Sequence, residues 1–161
     1  MRLTILLLLF SFVGFSQTLE ESIQSISNLS DTTQADSMIR LSRISAMNNN
    51  PELGVQQAKW GLRKAKANNY KNLIPFARFY IARNFNQANL TDSALVHYLF
   101  ALEEIENTKY SVWKIYIISA LGNNYRKKGD FKNAIAIQLN AIDDFKNKSD
   151  SLSVAELYTE I

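Results

Sequence analysis

The chain contains no cysteine. That excludes a disulfide framework, a thiolate zinc site and a lipid-anchor cysteine, and leaves packing and hydrogen bonding to hold the fold. Two prolines and five glycines in 161 residues are too few for the turn-dense architecture of a β-sandwich. A single histidine, His97, has no second imidazole or thiolate to complete a metal site. Neither sign of charge dominates: 18 basic and 15 acidic side chains leave a net charge of +3. This surplus is too small and too scattered for a nucleic-acid-binding face. No glycine-rich phosphate loop, GxSxG elbow or HExxH helix occurs in the sequence, so nothing points to an enzyme, a metal or a cofactor.

Long apolar runs are scarce as well, with one exception at the start. MRLTILLLLFSFVGFS, residues 1–16, has one charge at Arg2, an apolar stretch from Leu3 to Phe15, and small residues at Gly14 and Ser16. This is the layout of a secretory signal peptide cleaved before Gln17. Thirteen helical residues would reach only about 20 Å, short of the roughly 30 Å hydrocarbon core. The densest later run, Ile115 to Leu121, is bracketed by Lys114 and Arg126, so no membrane span is expected in the mature chain. The expectation is therefore a bacterial protein that is exported, periplasmic or secreted.

Beyond the leader, apolar residues recur three and four apart, the mark of amphipathic helices. The pattern also repeats. PELGVQQAKWGL (51–62), TDSALVHYLFAL (91–102) and FKNAIAIQLNAI (131–142) align at a constant step, position 51 over 91 over 131. Gly54, Ala94 and Ala134 coincide, as do Gly61, Ala101 and Ala141; upstream the step pairs Leu41, Ile81 and Leu121, then Ser42, Ala82 and Gly122. Two small residues seven apart lie on one helix face and let a neighbouring helix approach closely. Asn49, Asn89 and Gly129 fall between the two helices of each unit; these residue types accept the left-handed conformation that ends a helix. Start signals follow at Asn50 before Pro51, Thr91 before Asp92, and Asp130 before Phe131.

LGNNYRKKGDFKNAIAIQLNAI (121–142) resembles a tetratricopeptide repeat: Leu121-Gly122, Tyr125, Gly129, Ala134 and Ala141 occupy the characteristic places. The family's usual period is about 34 residues, and the longer step of this chain resembles variants with longer helices. Ser45 stands where Phe85 and Tyr125 stand in later units, Gln138 replaces the bulky Tyr98, and no proline closes a unit. The resemblance implies an all-α, right-handed solenoid of stacked antiparallel hairpins. The expected organisation is a short leading helix over 17–34, units 35–74, 75–114 and 115–154, and a truncated fourth unit over 155–161. Ser153 and Glu156 form a capping-box pattern opening that unit. The array therefore reads as part of a longer protein, and its uncapped end offers a route to self-association.

The resemblance also implies a concave surface, lined by the first helix of each hairpin, that holds a protein or peptide segment. The inward-facing candidates are Arg43, Arg83 and Asn123 in one column, with Phe79 and Tyr116 nearby and Asn86 and Arg126 a turn further on. Guanidinium and amide groups beside aromatic faces suit an extended, carboxylate-bearing segment. The functional expectation is an exported interaction scaffold. The alternatives are the extracytoplasmic sensor part of a bacterial transmembrane histidine kinase or transcription regulator and, more remotely, an enzyme with a helical shell. Glu103-Glu104 and Asp143-Asp144, one repeat apart, read as solvated faces, His97 as an ordinary surface or packing residue, and Trp60 and Trp113 as packing residues near hairpin junctions. If Ala101 and Ala141 sit at helix crossings, Leu at either should destabilise the fold by about 1–3 kcal/mol through overpacking. Thermal melts that coincide with the parent's would show the repeat alignment to be wrong.

Overall fold

The computed structural model describes residues 18–106, 111–147 and 155. The expected leader, and the expected capping box of a fourth unit at Ser153 and Glu156, lie outside the described residues. The described residues form seven α-helices: α1 Leu19–Ile26, α2 Asp31–Met47, α3 Pro51–Ala67, α4 Ile74–Gln87, α5 Thr91–Ile105, α6 Ser111–Lys127 and α7 Phe131–Asn147. A single 3-10 turn, Lys71–Leu73, leads into α4.

The architecture is all-α, with each helix packed on the next and α4 also packed on both α2 and α6. Ion pairs show the hairpins to be antiparallel: Asp31 early in α2 meets Lys64 late in α3, and Arg78 early in α4 meets Glu104 late in α5. The first helices, by contrast, run parallel. Gln87 at the end of α4 donates to the Ala46 carbonyl at the end of α2, and Lys127 at the end of α6 donates to the Asn86 carbonyl, each at 2.8 Å.

The turns explain this regularity. Asn49, Asn69, Asn89 and Gly129 all have positive φ, between 56° and 76°. After each one the next N–H reaches back five residues: Asn50 to Ser45, Tyr70 to Ala65, Leu90 to Phe85 and Asp130 to Tyr125, at 2.8–2.9 Å. This is the Schellman closure, which satisfies carbonyls otherwise orphaned at a helix end. Asn50 then caps α3 by accepting from the Leu53 N–H, and Asp130 caps α7 by accepting from the Asn133 N–H. The expected cap of α5 at Thr91 is not realised: Leu90 is the cap residue, without a side-chain hydrogen bond, and Thr91 is already helical. Leu90 closes the preceding helix as Asn50 and Asp130 do, so the geometry of the turn overrides the capping preference of threonine.

The small-residue columns lie in the core. Ala94, Ala101 and Ala134 are wholly buried and Ala141 nearly so. Around them a central cluster joins Phe79, Ala82, Tyr98, Ile105, Ile117 and Leu121, while Ile39, Ala58, Leu62, Ala77 and Ile81 pack the first hairpin against the second. Where the first unit departs from the pattern, polar groups replace apolar ones in matched sets. Ser45 donates to Gln57 Oε1 and Gln57 donates to Ser22, both at 2.7 Å and all three residues buried. The equivalent pair in the second hairpin is Phe85 stacked on His97, ring centroids 5.7 Å apart. The serine–glutamine–serine chain also ties α1 to the array, and α1 is closed by a capping box between Thr18 and Glu21.

Two glycines of different function give a contrasting pair of variants. A Cβ on Gly54 would stand 1.9 Å from Asn84 Oδ1 and 2.8 Å from the Ser42 carbonyl oxygen, whereas one on Gly129 would meet nothing within 4 Å. Gly54→Ala is expected to destabilise by about 1–3 kcal/mol. Gly129→Asn, which installs the residue used at the other three turns, should stay within a few tenths of a kcal/mol of the parent in the same chemical denaturation series.

Candidate functional site

The parallel first helices bring repeat-equivalent positions onto one face. Residues 36, 40, 43 and 47 of α2 are spaced by four, three and four, which keeps them on a single stripe. The repeat step carries that stripe to Phe76, Tyr80, Arg83 and Gln87 on α4, and to Tyr116, Asn123 and Lys127 on α6. Along it lie three adjoining cavities that share Tyr80.

The largest, about 620 Å³, sits where the C-terminal turns of α2, α4 and α6 come together. Arg43, Arg83 and Lys127 supply its charge, Asn84, Asn86 and Gln87 its amides, and no carboxylate lines it. The second, about 460 Å³, keeps Arg43, Tyr80 and Arg83 and adds Phe79, Trp113 and Tyr116. The third, about 230 Å³, lies at the opposite end, between Ile39, Leu73, Phe76 and Trp113, with Asp36 and Arg40 at its edge. Asp36 and Arg40 pair with each other at 2.7 Å, so this end carries no unbalanced charge.

The aromatic residues form a continuous band. Trp113 meets Phe76 edge-on at 4.8 Å, Phe79 at 5.9 Å and Tyr116 at 5.5 Å between centroids. Phe79 also contacts Tyr80 at 5.3 Å, and the Arg83 guanidinium lies 5.8 Å from the Phe79 ring centroid, within cation–π range. Both Arg43 and Arg83 are exposed, and among the described residues neither takes part in an ion pair. Beneath them, burial pushes the Tyr98 phenol well above its ordinary range, against the opposing pull of Arg83 and Asn86. It stays neutral at physiological pH.

Of the seven residues singled out in the sequence, the structure brings five to these cavities: Arg43, Phe79, Arg83, Asn86 and Tyr116. Phe79 does so by one edge, being 5% exposed and a member of the central cluster. Asn123 and Arg126 line none of the three. Arg126 turns toward α7, donating to Gln138 Oε1 at 3.2 Å, and holds Asn123 Oδ1 at 2.6 Å. The sequence pattern missed Tyr80, Trp113 and Lys127. Stepping the 43/83/123 column by three or four residues in each direction would have found Tyr80 and Lys127.

Two other expectations are corrected, the paired carboxylates and Trp60. Glu103 and Asp143 are exposed, but Glu104 and Asp144 belong to hairpin closures and not to solvated faces. Glu104 pairs with Arg78 at 3.4 Å, and Asp144 pairs with Lys114 at 2.8 Å. Trp60 is central in α3, away from any junction, with the Lys64 ammonium 5.7 Å from its ring. Trp113, at the start of α6, packs on the central cluster as expected and also lines two of the cavities. Among the described residues no cluster of histidine, aspartate and glutamate is arranged to hold a metal, and no helix is long and apolar enough to cross a membrane.

The fold thus defines a helical-repeat protein with a cationic and aromatic face along its parallel helices. No protein-family model matches the chain, and neither curated proteins nor solved structures yield a match.

His97 lies away from these cavities, stacked on Phe85, with its Nδ1 buried and unpartnered. Burial first, then Arg78 and Lys59, lower its pKa to about 4. The unfolded chain, with an ordinary value near 6.5, binds the extra proton first. The stabilising contribution is therefore complete above about pH 6.5 and is lost as pH falls through about 4. Melting temperatures from pH 7 to pH 4 should fall more steeply for the parent than for His97→Gln, and parallel curves would remove His97 as the cause.

Proposed function

We propose that the chain is an exported interaction scaffold of the tetratricopeptide type, which holds an extended, carboxylate-bearing peptide or protein segment against α2, α4 and α6. The observation that carries this reading is the pair Arg43 and Arg83, one repeat apart on parallel helices. They share two cavities that contain no carboxylate, and no described acidic side chain neutralises them. A planar guanidinium suits bidentate recognition of a carboxylate, and two of them on one face suit a chain that passes both. The aromatic band beside them gives a flat apolar surface to the rest of the segment. Export rests on the leader sequence, and the tetratricopeptide assignment on the repeat pattern.

Because both arginines are exposed and unpaired, removing them should spare the fold. A random heptapeptide display selection against the parent protein is expected to enrich aspartate and glutamate. Arg43→Gln with Arg83→Gln should weaken the enriched peptides at least tenfold in fluorescence polarisation, with an unchanged melting temperature. Binding should also weaken as salt rises, since the contacts are charged and accessible. Failure to enrich acidic sequences, or equal binding by the double variant, would overturn the scaffold reading.

A further inference from the structure

The three cavities are arranged lengthwise, and their chemistry changes from one end to the other. They run from Leu73 in the 3-10 turn, along α4 through Phe76, Tyr80 and Arg83, to Gln87. The fourteen residues of α4 span about 21 Å at 1.5 Å per residue. An extended chain covers this in about six residues. The C-terminal end is polar, with Arg43, Arg83 and Lys127. The N-terminal end is apolar, with Ile39, Leu73, Phe76 and Trp113, and its two charges, Asp36 and Arg40, cancel each other.

We infer that the occupant of this face is an extended segment of about six residues, with a carboxylate at one end and a large apolar side chain at the other, lying along α4 between α2 and α6. This deepens the scaffold reading above and rests on it. The carboxylate sits between Arg43 and Arg83. The apolar side chain enters the 230 Å³ cavity, whose volume has room for an aromatic or branched aliphatic group. The middle of the segment crosses Tyr80 and the Trp113–Tyr116 pair, whose faces accept any backbone. Charge complementarity fixes the polar end, because Arg43 and Arg83 line the large cavity and no carboxylate does. The neutral Asp36–Arg40 pair gives a second carboxylate no uncompensated cation at the far end. The ligand is therefore asymmetric and sits in a single orientation along the helices.

The test uses the full chain carrying Trp60→Phe. Of the two tryptophans in the sequence, this leaves Trp113, at the junction of the apolar cavity and the aromatic band, as the one remaining reporter. To keep that signal clean, the probes carry phenylalanine. They are end-blocked hexapeptides with phenylalanine at one terminus, aspartate at the other and serine and threonine between, made in both chain directions. At least one direction is expected to bind and to shift Trp113 emission. Replacing its aspartate by asparagine, replacing its phenylalanine by alanine, or deleting two spacer residues should each weaken binding at least tenfold. In the protein, Leu73→Asp should abolish the preference for phenylalanine over alanine. Arg43→Gln with Arg83→Gln should abolish the preference for aspartate over asparagine, with melting curves confirming that both variants fold.

Binding that follows the carboxylate alone, indifferent to the apolar end and to spacer length, would overturn the two-ended occupant and leave the scaffold reading intact. Equal binding of phenylacetate would overturn it in favour of a small-molecule site. No binding of any acidic peptide at millimolar concentration would sink both readings together.

Discussion

Everything in this molecule depends on one backbone conformation recurring at a fixed interval. Asn49, Asn89 and Gly129 take up the left-handed conformation, and each reverses the chain within a few residues. Because the reversal is the same each time, α2, α4 and α6 emerge parallel and in matching register. A side chain at one position then has its counterparts beside it one and two repeats on. No single hairpin has a site; the stripe from Arg43 to Arg83 exists only because successive units are superimposable.

Register along the stack is held by polar groups that an apolar interface could not replace. Asn84 is buried in α4 and donates to Tyr80 O at 2.8 Å and to Ser42 O, across on α2, at 3.4 Å. Asn124, its repeat equivalent, donates to the Thr91 carbonyl at 3.2 Å and to Asn86 at 3.4 Å. Both amide oxygens are buried without a hydrogen-bond partner, a penalty of roughly 1–3 kcal/mol for such a group. What offsets it is directional: a slide of one residue along the helix would break the bonds to the neighbouring unit, while leucines would tolerate the slide. The glycine at position 54 belongs to this device, since Asn84 Oδ1 occupies the space where a side chain would begin.

Much of this was legible in the sequence because it is written in local chemistry repeated at intervals. The left-handed residues, the small-residue columns and the helical periodicity are properties of short segments, and the repeat multiplied each signal by three. Thr91 reads as a cap in the sequence, but capping preference is a weaker constraint than the backbone closure that already uses Leu90. Glu104 and Asp144 read as solvated in the sequence because their partners, Arg78 and Lys114, are not repeat equivalents of each other; only the packed hairpin shows which cation each one reaches. Trp113 reads in the sequence as a packing residue because its repeat counterparts, Leu73 and Thr33, share no aromatic or charged chemistry with it. Arg126 matched the expected face by spacing, yet the amide of Gln138, which stands where Tyr98 stands in the preceding unit, draws it toward α7.

A bland account of the cations on this face is that they answer the helices themselves. Three parallel C-termini gather there, each equivalent to roughly half a negative charge, and basic residues near such ends are stabilising without any ligand. The geometry divides that role unequally. Lys127 donates directly to the Asn86 carbonyl in the last turn of α4, and to Asn89 Oδ1 at 3.0 Å, in the turn just beyond it. Its charge is spent on the helix end. Arg43 and Arg83 stand a full turn before the ends of α2 and α4, where the dipole field has largely fallen away, and no described carbonyl or carboxylate receives their guanidinium N–H groups. The Arg83 side chain rests instead toward the face of Phe79, which orients the planar group without consuming its donors. The dipoles therefore account for the lysine and leave the two arginines with unused hydrogen-bonding capacity on a shared cavity wall. Both side chains are exposed, so water meets those donors in the free protein, and the anionic partner proposed above would take the place of that water.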